Sequence, residues 1–161
     1  MRKRTSRPVA RAALAVGAVA VAGLAFAPSA AAVSPGSATA TYDCGTWGGG
    51  SATLAATQSG TAATITLTSA VTTPVAVGAN QISANLTLAK GAGGTTVFSG
   101  QANPALSAGD PVTIGPLNGT VASGDSLDSY FAGTALSMTI FGISVNCDAT
   151  TSQAPGPFVF D

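Results

Sequence analysis

Residues 61–69, TAATITLTS, and 81–90, QISANLTLAK, alternate between apolar and polar side chains. In the first, Ala63, Ile65 and Leu67 fall on one parity and Thr64, Thr66 and Thr68 on the other. In the second, Ile82, Ala84, Leu86 and Leu88 alternate with Ser83, Asn85 and Thr87. A period of two belongs to extended backbone, whose successive side chains leave opposite faces. One dry face and one wet face mark strands of an antiparallel sheet with a single buried side.

Outward from these two, less regular candidates lie at 38–44, 51–58, 72–77, 95–100, 112–117, 119–123 and 134–147. Turn signals separate them, among them Ser59-Gly60, Gly78-Ala79-Asn80, the glycine run 91–94, Asn118-Gly119 and Ser123-Gly124-Asp125. No stretch shows a 3.6-residue apolar repeat over three turns. Short strands with turns every 8–12 residues predict an all-β fold, an antiparallel β-sandwich of about 7–9 strands, with a barrel as the second choice. The stretch 134–147 changes parity: Leu136, Met138 and Ile140 precede the switch, and Phe141, Ile143, Val145 and Cys147 follow it. A bulge near Phe141-Gly142, or a strand buried on both faces, would account for it.

The chain has 161 residues and a formal net charge of zero, but its charges are unevenly placed. Arg2, Lys3, Arg4, Arg7 and Arg11 are followed by an apolar run from Ala12 to Ala27 and then by Pro28, Ser29 and the alanines 30–32. Basic, apolar and small-residue regions in that order read as a secretory signal peptide. The run is shorter than the roughly 20 residues that span a bilayer. Cleavage after Ala32 gives three parts: a signal peptide at 1–32, a β-sandwich domain at 33–148 and a Pro-containing C-terminal tail at 149–161. The tail packs back on the domain or pairs as a late edge strand. It carries no LPxTG-type sorting signal, so release as a secreted, extracellular protein is expected.

After cleavage only Lys90 opposes six aspartates, a net charge of −5. Nucleic-acid binding requires cations that displace counterions, and anionic membranes require basic clusters. Neither partner is expected. Two cysteines in a secreted chain predict one disulfide, Cys44–Cys147. Cys44 shares a parity with Ala40 and Tyr42, and Cys147 sits on the apolar parity of its strand, so both sulfurs can point inward. In the chain-entropy model, closing a loop of about 100 residues is worth roughly 4.7 kcal/mol.

The mature chain lacks histidine, arginine and glutamate. That excludes Ser-His-Asp and Cys-His nucleophile systems, imidazole metal sites and bidentate guanidinium clamps. No enzymatic activity and no cofactor is expected. Paired aspartates are the one remaining acid–base device, and Asp125 and Asp128 in SGDSLDSY are the candidates. They are also weak candidates for calcium, although a solvated turn is the plainer reading. Trp47 in DCGTWGGG (43–50), with Tyr42 and Tyr130, could form a sugar-stacking platform. A core or corner position beside the disulfide is preferred. The Pro-bounded segment 109–120 could protrude as a protease-inhibitor loop, though prolines at sheet edges also block aggregation.

The basic n-region, the PSAAA ending of the signal, the opening TYDCGTWGGGSATL and the closing MTIFGISVNC resemble small secreted actinobacterial proteins with a cysteine on the first strand and another on the last. That resemblance implies an extracellular immunoglobulin-like sandwich. It transfers no functional residue. The expected role is a non-enzymatic extracellular interaction or structural domain whose partner is an unidentified protein or surface polymer. A carbohydrate-binding module using Trp47 is the alternative, followed by a protease inhibitor or an Asp-based glycosidase.

Overall fold

The computed structural model describes residues 33–161, and the expected signal segment lies outside the described residues. The two alternating stretches form strands: β4 (Ala62–Thr72) buries Ala63, Ile65 and Leu67, and β5 (Ile82–Lys90) buries Ile82, Ala84, Leu86 and Leu88. The other strands are β1 (Val33–Ser34), β2 (Ser37–Asp43), β3 (Gly49–Ser59), β6 (Thr95–Gln101), β7 (Pro111–Thr120), β8 (Ser126–Ser129), β9 (Leu136–Ile140), β10 (Ile143–Ala149) and β11 (Phe158–Phe160). The outer face is rich in hydroxyls, and Thr57 and Thr64 hydrogen-bond across β3 and β4 at 2.7 Å.

The strands close into an eight-strand barrel, which overturns the expected immunoglobulin-like sandwich. The ring runs β2, β3, β4, β7, β6, β5, β9, β10 and back to β2. Two ladders shut it. β5 pairs with β9 from Ile82–Ile140 to Leu86–Leu136, and β10 pairs with β2 at Asp148–Asp43 and Ala149–Tyr42. Alternation along a strand reports one dry face, and a barrel lumen satisfies it as well as a facing sheet does. Closure also leaves no unpaired edge.

Three wall positions are each built from two short strands in line. β8 continues the line of β9 along β5, pairing Leu88 with Ser129 and Lys90 with Leu127. β11 follows β10 and pairs with β8, while β1 precedes β2 and pairs with β11. Residues 149–161, expected as a tail, therefore contribute to the barrel, and both Phe158 and Phe160 are buried.

The parity switch in 134–147 is neither a bulge nor a doubly buried strand. It is a hairpin. Ile140 opposes Ile143 across the two-residue turn Phe141-Gly142, and the register continues through Met138–Val145 to Leu136–Cys147. Reversal of the chain restores the same face after an odd step. The candidates 112–117 and 119–123 prove to be mostly one strand, β7, whose register against β4 shifts between Leu117 and Ile114, around Gly115-Pro116. A bulge tolerates a residue without an N–H. The 109–120 segment is thus largely a barrel strand, with Ile114 and Leu117 buried, rather than a protruding loop.

Each end is crossed by loops. At one end the β7–β8 connection lies over a filled interior: Gly124 N–H donates to Phe160 O at 2.7 Å and Val121 N–H to Thr61 O at 2.9 Å. Beneath it Phe98, Phe158, Phe160, Leu88 and Leu127 are fully buried. Gly119 lies against Phe98 so closely that a Cβ there would meet the ring at 2.5 Å. At the other end, segments 73–81 and 102–110 are joined by reciprocal hydrogen bonds between Val77 and Leu106, each 2.9 Å. Buried Asn103 ties them further: its Oδ1 accepts from the Gln81 and Ile82 N–H groups, and its Nδ2 donates to Gly78 O and Pro104 O. The expected strand 72–77 is part of this crossing.

The disulfide Cys44–Cys147 is present, with the two Cα atoms 4.0 Å apart. It continues the Asp43–Asp148 register by one residue, so it staples β2 to β10 at the end of their two-pair ladder.

Candidate functional site

A cavity of about 400 Å³ occupies the end of the barrel beneath segment 73–81. The strand alternation supplies its wall: Ala52 from β3, Leu67 from β4, Ile82 from β5, Ile114 from β7 and Val145 from β10 all face it and are buried. Half-buried Val112, Met138 and Ile140 extend that wall. At the rim stand Trp47, Val75, Phe141 and Ile143, exposed by 55%, 52%, 58% and 49%. The described residues include seven exposed large hydrophobics, and these four share the cavity. Single exposed apolar residues are ordinary, whereas a cluster around a concavity marks an interaction site. No charged side chain lines it; the polar side chains are Tyr42, Ser69, Thr72 and Thr73.

Trp47 is at a corner, not in the core. A single 3₁₀ turn, Gly45–Trp47, is closed by Cys44 N–H donating to Gly48 O at 2.8 Å and by Gly45 N–H donating to Asp43 Oδ1 at 2.9 Å. Gly45 and Gly48 both take positive φ, so the corner depends on residues without a Cβ. The result is a stiff mount that holds the indole at the mouth beside the disulfide.

Tyr42 is brought to the same cavity by β2, but from inside. It is only 4% exposed, and its hydroxyl is buried without a hydrogen-bond partner. Burial, with the charge of Asp128 as a lesser cause, pushes its phenol well above the ordinary tyrosine range. Tyr130 is not part of the cavity lining; it sits in the 130–135 excursion, with its hydroxyl 3.4 Å from Ala132 O. The expected Trp47–Tyr42–Tyr130 set is therefore split, and only Trp47 and Tyr42 share a site.

Asp125 and Asp128 have separate partners. Asp125 Oδ2 accepts from Lys90 Nζ and from Ala122 N–H, both at 2.9 Å. The Ala122 N–H first, then Lys90, hold its carboxyl below the usual range. Asp128 Oδ1 accepts from Ser129 N–H at 2.7 Å and Gln153 N–H at 2.8 Å, bracing the 150–157 excursion. No group of three or more His, Cys, Asp or Glu side chains that could hold a metal ion occurs among the described residues.

Sequence reasoning missed Val75, Phe141 and Ile143 as rim residues. Phe141 did leave a signal, since it marks the parity switch. In the hairpin it has φ 51°, followed by Gly142 at 79°. Two-residue turns with both φ positive favour Asn-Gly, and a bulky residue in that conformation is an outlier that calls for a reason. No helix of the described residues is long and apolar enough to cross a membrane. Compared with family models, curated proteins and solved structures, the chain finds no match in any of the three.

Proposed function

We propose that this chain is a non-enzymatic extracellular binding protein that takes an apolar small molecule into the mouth of its barrel. The observation that carries the proposal is a cavity of about 400 Å³ with no charged lining residue and four exposed large hydrophobics on its rim. Eight-strand barrels are just wide enough to be filled by side chains or to hold one small ligand. Ligand pockets run from roughly 300 to 1,000 Å³ and are mostly apolar. Covering apolar wall is worth roughly 25 cal/mol per Å² removed from water, so an apolar guest has a driving force here and a polar one does not.

The sugar-binding alternative has less support. Stacking platforms need hydrogen-bonding groups beside the aromatic ring, and Trp47 shares its cavity mostly with apolar side chains and not with Tyr130. A non-enzymatic role is supported by the lack of histidine and of charged groups in the cavity. The signal-like N-terminus and the disulfide support an oxidising, extracellular location.

The test uses the single tryptophan and the uncharged fluorophore N-phenyl-1-naphthylamine. Saturable binding near one probe per chain is expected, with a change in Trp47 emission. Val71→Phe, which intrudes from the cavity wall, should weaken it at least several-fold. Absence of saturable binding, or binding indifferent to Val71→Phe, would overturn the proposal.

A further inference from the structure

We infer that the ligand is a neutral amphiphile. Its apolar tail fills the cavity, and its uncharged, hydroxyl-rich head lies outside the barrel in a groove beside Phe141. The inference rests on the cavity being an apolar ligand site and adds the part of the ligand that stays in water.

The groove, of about 340 Å³, is lined by Gln81, Ser83, Gln101, Thr139, Phe141 and Gly142. It lies across the barrel wall from the cavity. Ile82 and Ile140 are register partners that line the cavity, and the next pair, Ser83 and Thr139, lines the groove. Phe141 borders both spaces, so the hairpin tip divides a dry side from a wet one. A molecule crossing the rim here would cover that ring, which stands 58% exposed at a positive φ.

The lining chemistry selects the head. Ser83 pairs with Gln101 on one side and with Thr139 on the other, a row across β6, β5 and β9. Strands about 4.8 Å apart make such a row roughly 10 Å long, room for one hexose ring with its hydroxyls. Both amides are held from behind: Gln101 Nε2 donates to Asn80 O at 3.0 Å, and Gln81 Oε1 accepts from Gly78 N–H at 3.3 Å. That leaves Gln101 Oε1, Gln81 Nε2 and the Ser83 and Thr139 hydroxyls for an occupant, a set of donors and acceptors that matches a polyol. No charged side chain lines the groove. A phosphate or an ammonium would find no counter-charge there.

The experiment is displacement of N-phenyl-1-naphthylamine by three compounds with one eight-carbon chain: octyl β-D-glucoside, 1-octanol and octylphosphocholine, the detergents kept below micellar concentrations. 1-Octanol is the most apolar of the three, so a cavity acting alone ranks it first. Wild-type protein should instead release the probe to the glucoside at a concentration several-fold lower than to either of the others. Ser83→Ala with Thr139→Val removes both hydroxyls from an exposed face. That variant should keep its probe and octanol affinities while the glucoside's advantage falls several-fold, the scale of one or two net hydrogen bonds. Octanol or octylphosphocholine competing as well as the glucoside would overturn the inference. So would a double variant whose preference is intact. In each of these cases the probe still binds, so the apolar-cavity reading survives; a probe that does not bind wild-type protein sinks both.

Discussion

The two ends of the barrel share one wall but not one interior. Toward β11 the inward positions carry Phe98, Phe158, Phe160, Leu88 and Leu127, all fully buried. Toward segment 73–81 the wall presents Ala52 from β3, Ser69 and Val71 from β4, Val112 from β7 and Val145 from β10, and the side chains no longer meet across the lumen. β4 shows the change within one strand: Ile65 and Leu67 are fully buried, and Ser69 and Val71 on the same parity are not. Strand number sets the width of a barrel, but side-chain size decides whether that width is solid or hollow.

Truncation should expose this difference most. Phe158→Ala at the packed end is expected to cost about 3–5 kcal/mol in urea denaturation, the usual range for a buried phenylalanine. Ile140→Ala on the cavity wall should cost less than about 2 kcal/mol, because many of its neighbours are already missing. Equal losses would mean that the hollow end is packed as tightly as the other, and the contrast would fail.

Next in size is the staple. Cys44→Ser with Cys147→Ser should lower stability by about 2–4 kcal/mol, and by protease sensitivity the loss should be felt first at the corner that carries Trp47. A double variant melting with wild type would show that the two-pair β2–β10 ladder holds without it.

Smallest, and opposite in sign, is the rim. Phe141→Gly relieves a positive φ that costs of order 1–3 kcal/mol, against roughly 0.5–1 kcal/mol of added backbone entropy. Stability should stay within about 1 kcal/mol of wild type or rise, while probe affinity falls. A variant that is strongly destabilised and binds as before would make Phe141 a structural residue.

These contrasts also explain what could be read from the chain before its fold was known. Strands β4 and β5 were legible because alternation is a local property, fixed by which side of each residue meets water. The disulfide was legible because only two cysteines exist. Closure was not, since Ile82 pairing with Ile140 and Asp43 with Asp148 are choices between distant segments that leave no local mark. Phe141-Gly142 misled for a different reason. A reversal of direction and an inserted residue produce the same slip in parity, and a phenylalanine is not the residue that usually announces a tight turn. The cavity was legible only in part. Tyr42 and Trp47 stood out as rare residues, but Val75 and Ile143 are ordinary until the barrel assembles them around one opening.

The seam between β2 and β10 has a consequence for the order of assembly. The cysteines it joins are 103 positions apart, so no partial chain ending before β10 contains a closed ring. Until β10 arrives, β2 and β9 each present an edge with unsatisfied backbone groups, the kind that recruits other chains. Long-range pairings of this sort also make folding slow, on the scale of milliseconds to seconds. The interval in which the barrel is an open, sticky sheet is therefore written into its topology, and the hydroxyl-rich outer face is what such a sheet would show to water while it waits.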